Sequence, residues 1–101
     1  MNNLESANGS RHLALDSVLT IYTAADTKLL LANALQGAVD LRLDLSAIEE
    51  VDCAGLQLLL ATCQEARRQH VSLHLEGASP AMTEILQLSG LHDLLLSGGL
   101  H

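Results

Sequence analysis

Residues 41–60 read LRLDLSAIEEVDCAGLQLLL, an apolar strand pattern that empties into an acidic loop and then enters a helix at Asp52-Cys53-Ala54-Gly55. From Val39 to Leu45 apolar and polar residues alternate strictly, the period of a strand with one buried face. Asp52 is placed to cap the helix that follows. Its carboxylate can accept from the free N–H groups of the first turn and complements the positive end of the helix dipole. The helix is expected to run to about His70, with Leu56, Leu59, Leu60, Cys63, Ala66 and Arg67 on the stripe facing the sheet and Leu58 off it. A helix start leaves backbone N–H groups unpartnered and attracts anionic groups, so function is expected at this strand-to-helix junction.

Working outward, Thr23 is expected to cap a helix over AADTKLLLANALQG, with Ala25, Leu29, Ala32 and Leu35 or Gln36 at helical spacing and Gly37 as its stop. Two short strands are expected before it, His12 to Leu15 and Ser17 to Tyr22, with Asp16-Ser17 turning between them. After the long helix, Val71 to Glu76 alternates as a strand. Pro80 suits the first turn of a helix to about Leu88. Ser89-Gly90 then breaks the pattern before a short apolar helix, Leu91 to Leu96, and a Gly98-Gly99 tail. Residues 1–11 read as a flexible lead-in and 12–101 as a single domain. The order β-β-α-β-α-β-α-α places the chain in the α/β class, as a small mixed sheet of four to five strands covered by about four helices.

Composition excludes several functions. The 101 residues are 49% hydrophobic, yet Tyr22 is the single aromatic. The core must therefore be aliphatic, and the aromatic platforms that stack bases are missing. Five basic against twelve acidic residues give a net charge of −7, which repels phosphate backbones. No nucleic-acid partner is expected. The apolar runs fall far short of the roughly 20 residues of a membrane span, and the N-terminus lacks a secretion signal, so a cytoplasmic location without direct membrane insertion is the default. Cys53 and Cys63 are ten positions apart, about 15 Å along one helix, and are expected to be free thiols.

Chemistry is sparse. Of the histidines at 12, 70, 74, 92 and 101, no two share a helix at i,i+4, and none lies in an H-x-x-H frame. Glu49, Glu50 and Asp52 lack the ligand rhythm of a cation loop. Neither a metal nor a cofactor is expected. Cys53 at a helix start suggests a thiol-dependent activity, but Glu49, Glu50 and Asp52 surround it with negative charge in the sequence and no histidine is near. No catalytic residue is assigned. Nor is there a G-x-x-x-x-G-K-[ST] phosphate loop.

The segment DLSAIEEVDCAGLQLLL resembles the signature of the STAS domain, the module named from sulfate transporters and anti-sigma factor antagonists. In that family a strand ends in an aspartate-serine pair and a loop leads to D-S-S-G-L or D-T-x-G-L at a helix start. Asp44, Ser46, Asp52, Gly55 and Leu56 match, and the resemblance extends over roughly residues 13–96. In anti-sigma antagonists of the family, the second serine of D-S-S-G is phosphorylated by a partner kinase and its dephosphorylation restores binding. Ala54 occupies that position, with Cys53 before it, so the resemblance implies a switch site that cannot accept phosphate there.

The resemblance thus implies a non-catalytic regulatory adaptor in bacterial signal transduction or transcription regulation. Its expected partner is an anti-sigma factor, a serine kinase or a chemotaxis-type sensory complex. Asp52, Cys53, Ala54, Gln57, Leu58 and Thr62 are the expected partner contacts. A STAS subunit buttressing the ATPase of a lipid-transport ABC system is the alternative. Modification at Ser46 or Thr62 and a homodimer through Leu91 to Leu96 stay open, and no residue specifies a nucleotide.

Overall fold

The computed structural model describes residues 5–7 and 9–90. In chain order they form β1 (Glu5–Ala7), β2 (Ser10–Ala14), β3 (Val18–Leu19), α1 (Ala24–Leu35), β4 (Asp40–Asp44), β5 (Glu50–Val51), α2 (Cys53–Arg68), β6 (Ser72–Glu76) and α3 (Pro80–Leu88). The main sheet has the order β1-β2-β4-β6. β1 runs antiparallel to β2, while β2, β4 and β6 are parallel, with Leu13 opposite Leu43 and Leu43 opposite Leu75. The mixed α/β architecture is as expected. Among the described residues there are three helices, and Leu91 to Leu96 and Gly98-Gly99 lie outside them.

Alternation decides which face of the sheet is covered. Leu13, Leu41, Leu43, Leu73 and Leu75 are buried and form one aliphatic core with Leu31 and Leu35 of α1, Leu56 and Leu59 of α2 and Met82 and Leu86 of α3. On the opposite face His12, Arg42 and His74 stand side by side across β2, β4 and β6, and His74 Nε2 lies 3.3 Å from Asp40 Oδ1.

Helix ends follow local chemistry. Ser79 Oγ accepts from Met82 N at 3.2 Å, and Pro80 opens α3. Past α1, Gly37 takes φ +75°, a conformation that terminates a helix at no steric cost to glycine. The residue at the equivalent place after α2 is His70, at φ 60°. Val71 N donates to Ala66 O at 2.8 Å and His70 N to Arg67 O at 3.1 Å, closing the helix with both bonds of a Schellman motif.

Several expectations are corrected. Residues 1–11 do not all form a flexible lead-in, because Glu5–Ala7 and Ser10–Arg11 pair in the main sheet. The strands after His12 are not neighbours. β3 is two residues long and leaves the main sheet to pair in parallel with β5, which sits in the segment read as an acidic loop. In α1 the buried positions are Leu31, Ala34 and Leu35, whereas Ala25, Leu29 and Ala32 are exposed. Thr23 stands at the start of α1 but makes no side-chain cap bond. Its Oγ1 accepts from Thr20 N at 3.1 Å.

In α2, Leu56, Leu59, Cys63 and Ala66 are buried as expected, Leu60 is half-buried and Arg67 exposed. Gly55 and Thr62 join the buried set: Gly55 abuts Leu19 of β3, and α2 packs against α1 as well as against the sheet. One stripe is too narrow for a helix covered on two sides.

Candidate functional site

The short β3–β5 pair builds the junction. Glu49 N and Glu50 N both donate to Ser17 O, at 2.7 and 3.0 Å, and Asp52 N donates to Leu19 O at 3.3 Å. These bonds bring the acidic segment alongside β3 just before α2 begins. Asp52 itself is extended, at φ −122° and ψ −175°, the conformation of a residue about to cap a helix.

One oxygen of Asp52 does what the sequence predicts. Oδ1 accepts from Gly55 N at 2.9 Å, the N3 position of α2. The other oxygen reaches outside the helix, accepting from Ile21 N at 3.1 Å. A single carboxylate therefore ties the start of α2 to the loop between β3 and α1. The Gly55 bond first, then the Ile21 bond, hold the Asp52 carboxyl below its ordinary pKa, since both donors favour the ionised form.

Gly55 permits the close approach that this stitch requires. A Cβ there would stand 2.9 Å from the carbonyl carbon of Leu19 and nearer still to its oxygen. No side chain fits without moving β3.

The loop is pinned at both ends. Thr23 Oγ1 lies 3.1 Å from Val18 O and 3.2 Å from Thr20 O, to which it can donate, and Tyr22 N donates to Thr20 Oγ1 at 3.3 Å. Between these anchors Ile21 is 62% exposed and Tyr22 93% exposed. Two large apolar side chains are thus held in solvent beside a charged cap.

The residues expected to contact a partner divide unevenly. Cys53 and Gln57 are exposed, and Asp52 and Ala54 are half-buried at the helix start. Leu58, expected off the packed stripe, is half-buried against the core. Thr62 is a clear correction: it is 5% exposed, and its hydroxyl donates to Leu58 O at 2.8 Å. That back-bond satisfies the only polar group the side chain would bury. Ile21 and Tyr22 had not been expected to contribute. The signal available for them was the placement of the lone aromatic of an aliphatic chain at the last position of a predicted strand, just before a predicted helix cap.

Asp44 and Ser46 form the turn after β4. Ser46 N donates to Asp44 Oδ1 at 2.9 Å, and Ser46, through its hydroxyl first and its amide second, holds the Asp44 carboxyl below its usual range. Cys53 and Cys63 are not joined in a disulfide, and Cys63 is buried while Cys53 is exposed. Among the described residues no cluster of His, Cys, Asp or Glu could hold a metal ion, and no helix is long and apolar enough to cross a membrane.

Comparison with solved structures places this architecture among known folds. An anti-sigma factor antagonist from Mycobacterium paratuberculosis superposes with a TM-score of 0.77 at 21% identity, covering 92% of this chain and 80% of that one. A putative anti-sigma factor antagonist from Thermotoga maritima gives 0.78 at 18% identity, with 93% and 82% covered. The unphosphorylated anti-sigma factor antagonist SpoIIAA gives 0.74 at 18%, with 92% and 84% covered. These likenesses establish the fold. No curated protein matches the chain. The family model described as "Mlab, STAS domain" matches residues 3–97, and with the strand-to-helix junction just described the chain belongs to the STAS family.

Proposed function

We propose that this chain is a non-catalytic regulatory docking module. It binds a signalling protein, an anti-sigma factor, serine kinase or sensory complex, through the start of α2 and the loop joined to it. The observation that carries this reading is the double use of Asp52, whose bonds to Gly55 and Ile21 set Ile21, Tyr22, Cys53, Ala54 and Gln57 on one preorganised surface. Preorganisation matters because ordering a loop on binding costs affinity. Ala54 at the family's acceptor position offers no hydroxyl, so that position takes no phosphate and the surface stays competent to bind without that switch. Leu58 contributes through its exposed edge. Thr62 has no part in it.

Affinity capture from the native cell, with mass spectrometry of the retained proteins, tests this reading. The wild-type chain retains a specific partner, and Ala54→Asp, which places a charge on the surface, reduces its recovery at least tenfold while the thermal midpoint stays in place. Equal recovery with Ala54→Asp and with Gln57→Lys would overturn the reading.

The family description "Mlab, STAS domain" and the small Ala54 favour a second reading: a STAS subunit seated on the ATPase of a lipid-transport ABC system. The same surface would then face an ATPase. The identity of the captured protein separates the two.

A further inference from the structure

Beside the junction, on the side of α3, lies an open groove of about 660 Å³. Val18, Val51 and Ile85 contribute its apolar lining, and Tyr22 and Leu88 line it too, with Leu88 82% exposed. Four carboxylates, Glu49, Glu50, Asp52 and Glu84, complete the lining. Among the described residues no cationic side chain lines the groove, so these charges have no counter-ion within it. The chain as a whole carries −7, which adds to rather than offsets the local field.

We propose that this groove receives an amphipathic, lysine- or arginine-flanked segment of the protein partner, its aliphatic side chains on Val51 and Ile85 and its cations on Glu49, Glu50 and Glu84. The inference rests on the docking reading and gives the partner its chemistry. Charge complementarity selects the occupant. An acidic or neutral apolar segment would bury carboxylates without compensation, which is costly, whereas a basic one is steered in and paired at the rim. Tyr22 and Leu88, both strongly exposed, lie along the groove, and Ile21 is exposed next to Tyr22 in the chain, a set of apolar side chains suited to a helix laying several anchors in a row.

The test uses the full chain and a synthetic 14-residue Lys/Leu amphipathic helix without aromatic residues. Tyr22, the only aromatic in the chain, reports binding by its own fluorescence. Saturable binding is expected, weakened at least tenfold by Glu84→Lys, at least fivefold by Leu88→Ser, and progressively by added salt. Gln64→Lys, a charge change on α2 outside the groove, should leave affinity within twofold. A Glu/Leu peptide should not bind, and a Lys/Ser peptide should bind at least tenfold more weakly. The proposal is overturned if the wild-type chain does not bind, if Glu84→Lys has no effect, or if either control peptide binds as tightly as the Lys/Leu probe. Any of these results leaves the capture experiment unaffected, whereas undiminished capture by both Ala54→Asp and Gln57→Lys defeats the docking reading itself.

Discussion

Gly55 on α2 and Leu19 on β3 approach so closely that a Cβ on the glycine would stand 2.9 Å from the Leu19 carbonyl carbon. The contact locks a two-residue strand against the first turn of a helix. Gly55→Ala is therefore expected to destabilise the fold by about 1–3 kcal/mol, the usual cost of overpacking, despite a gain of up to about 1 kcal/mol in helix propensity. Thermal unfolding followed by circular dichroism should give a midpoint lower by roughly 5–15 °C. An unchanged or higher midpoint would mean that β3 moves aside freely.

The Asp52 carboxylate ties the start of α2 to the loop that follows β3, so its charge should be visible in the pH dependence of stability. Its folded-state pKa is depressed, below the roughly 3.9 of an unperturbed aspartate. The stabilisation is accordingly present above about pH 4 and is lost as pH falls through the lower folded-state value. Asp52→Asn should flatten the acid limb of a stability profile measured between about pH 6 and 2, and Asp52→Ala should lower stability at pH 7 more than Asn does. A variant whose acid limb matches the wild type would show that the carboxylate bonds are not maintained.

α1 offers a direct comparison of neighbours. Leu31 is 2% exposed and Leu29 66% exposed, although helical spacing alone favours Leu29 as the buried one. Leu31→Ala should cost about 2–5 kcal/mol, and Leu29→Ala should stay within about 0.5 kcal/mol of wild type. Urea titrations of the two variants read both values, and a reversed order would place α1 in a different rotation.

His70 holds the left-handed position that ends α2, where an L side chain is disfavoured. His70→Gly is expected to stabilise by about 0.5–1 kcal/mol, raising the thermal midpoint by a few degrees. A lower midpoint would assign the imidazole a contact worth more than the backbone relief.

Where the sequence pattern was long and one-sided, it was legible. β4 and β6 alternate over five residues each, and Asp52, Gly37 and Pro80 mark helix ends through local chemistry that tertiary contacts left undisturbed. β3 and β5 were not legible as a pair, since two residues carry no period and their parallel pairing joins segments about 30 residues apart. The rotation of α1 was lost because its AADTKLLLANAL run is apolar nearly all round; only packing against α2 and the sheet selects Leu31, Ala34 and Leu35. At the site, the cap on Gly55 was foreseeable from spacing. The second bond of Asp52, to Ile21, was not, because it depends on how β3 is seated, and with it went the exposure of Tyr22. Thr62 was misplaced for a related reason: a polar residue was assigned to the outward face, although its hydroxyl finds a backbone partner inside.

Docking through the start of α2 is tested most directly by quantitative capture of the native partner with wild type, Ala54→Asp and Tyr22→Ser, alongside a thermal scan of each. At least tenfold lower recovery for Ala54→Asp and a clear loss for Tyr22→Ser, with both variants folded as stably as wild type, is the predicted result. Undiminished recovery by both folded variants would contradict it.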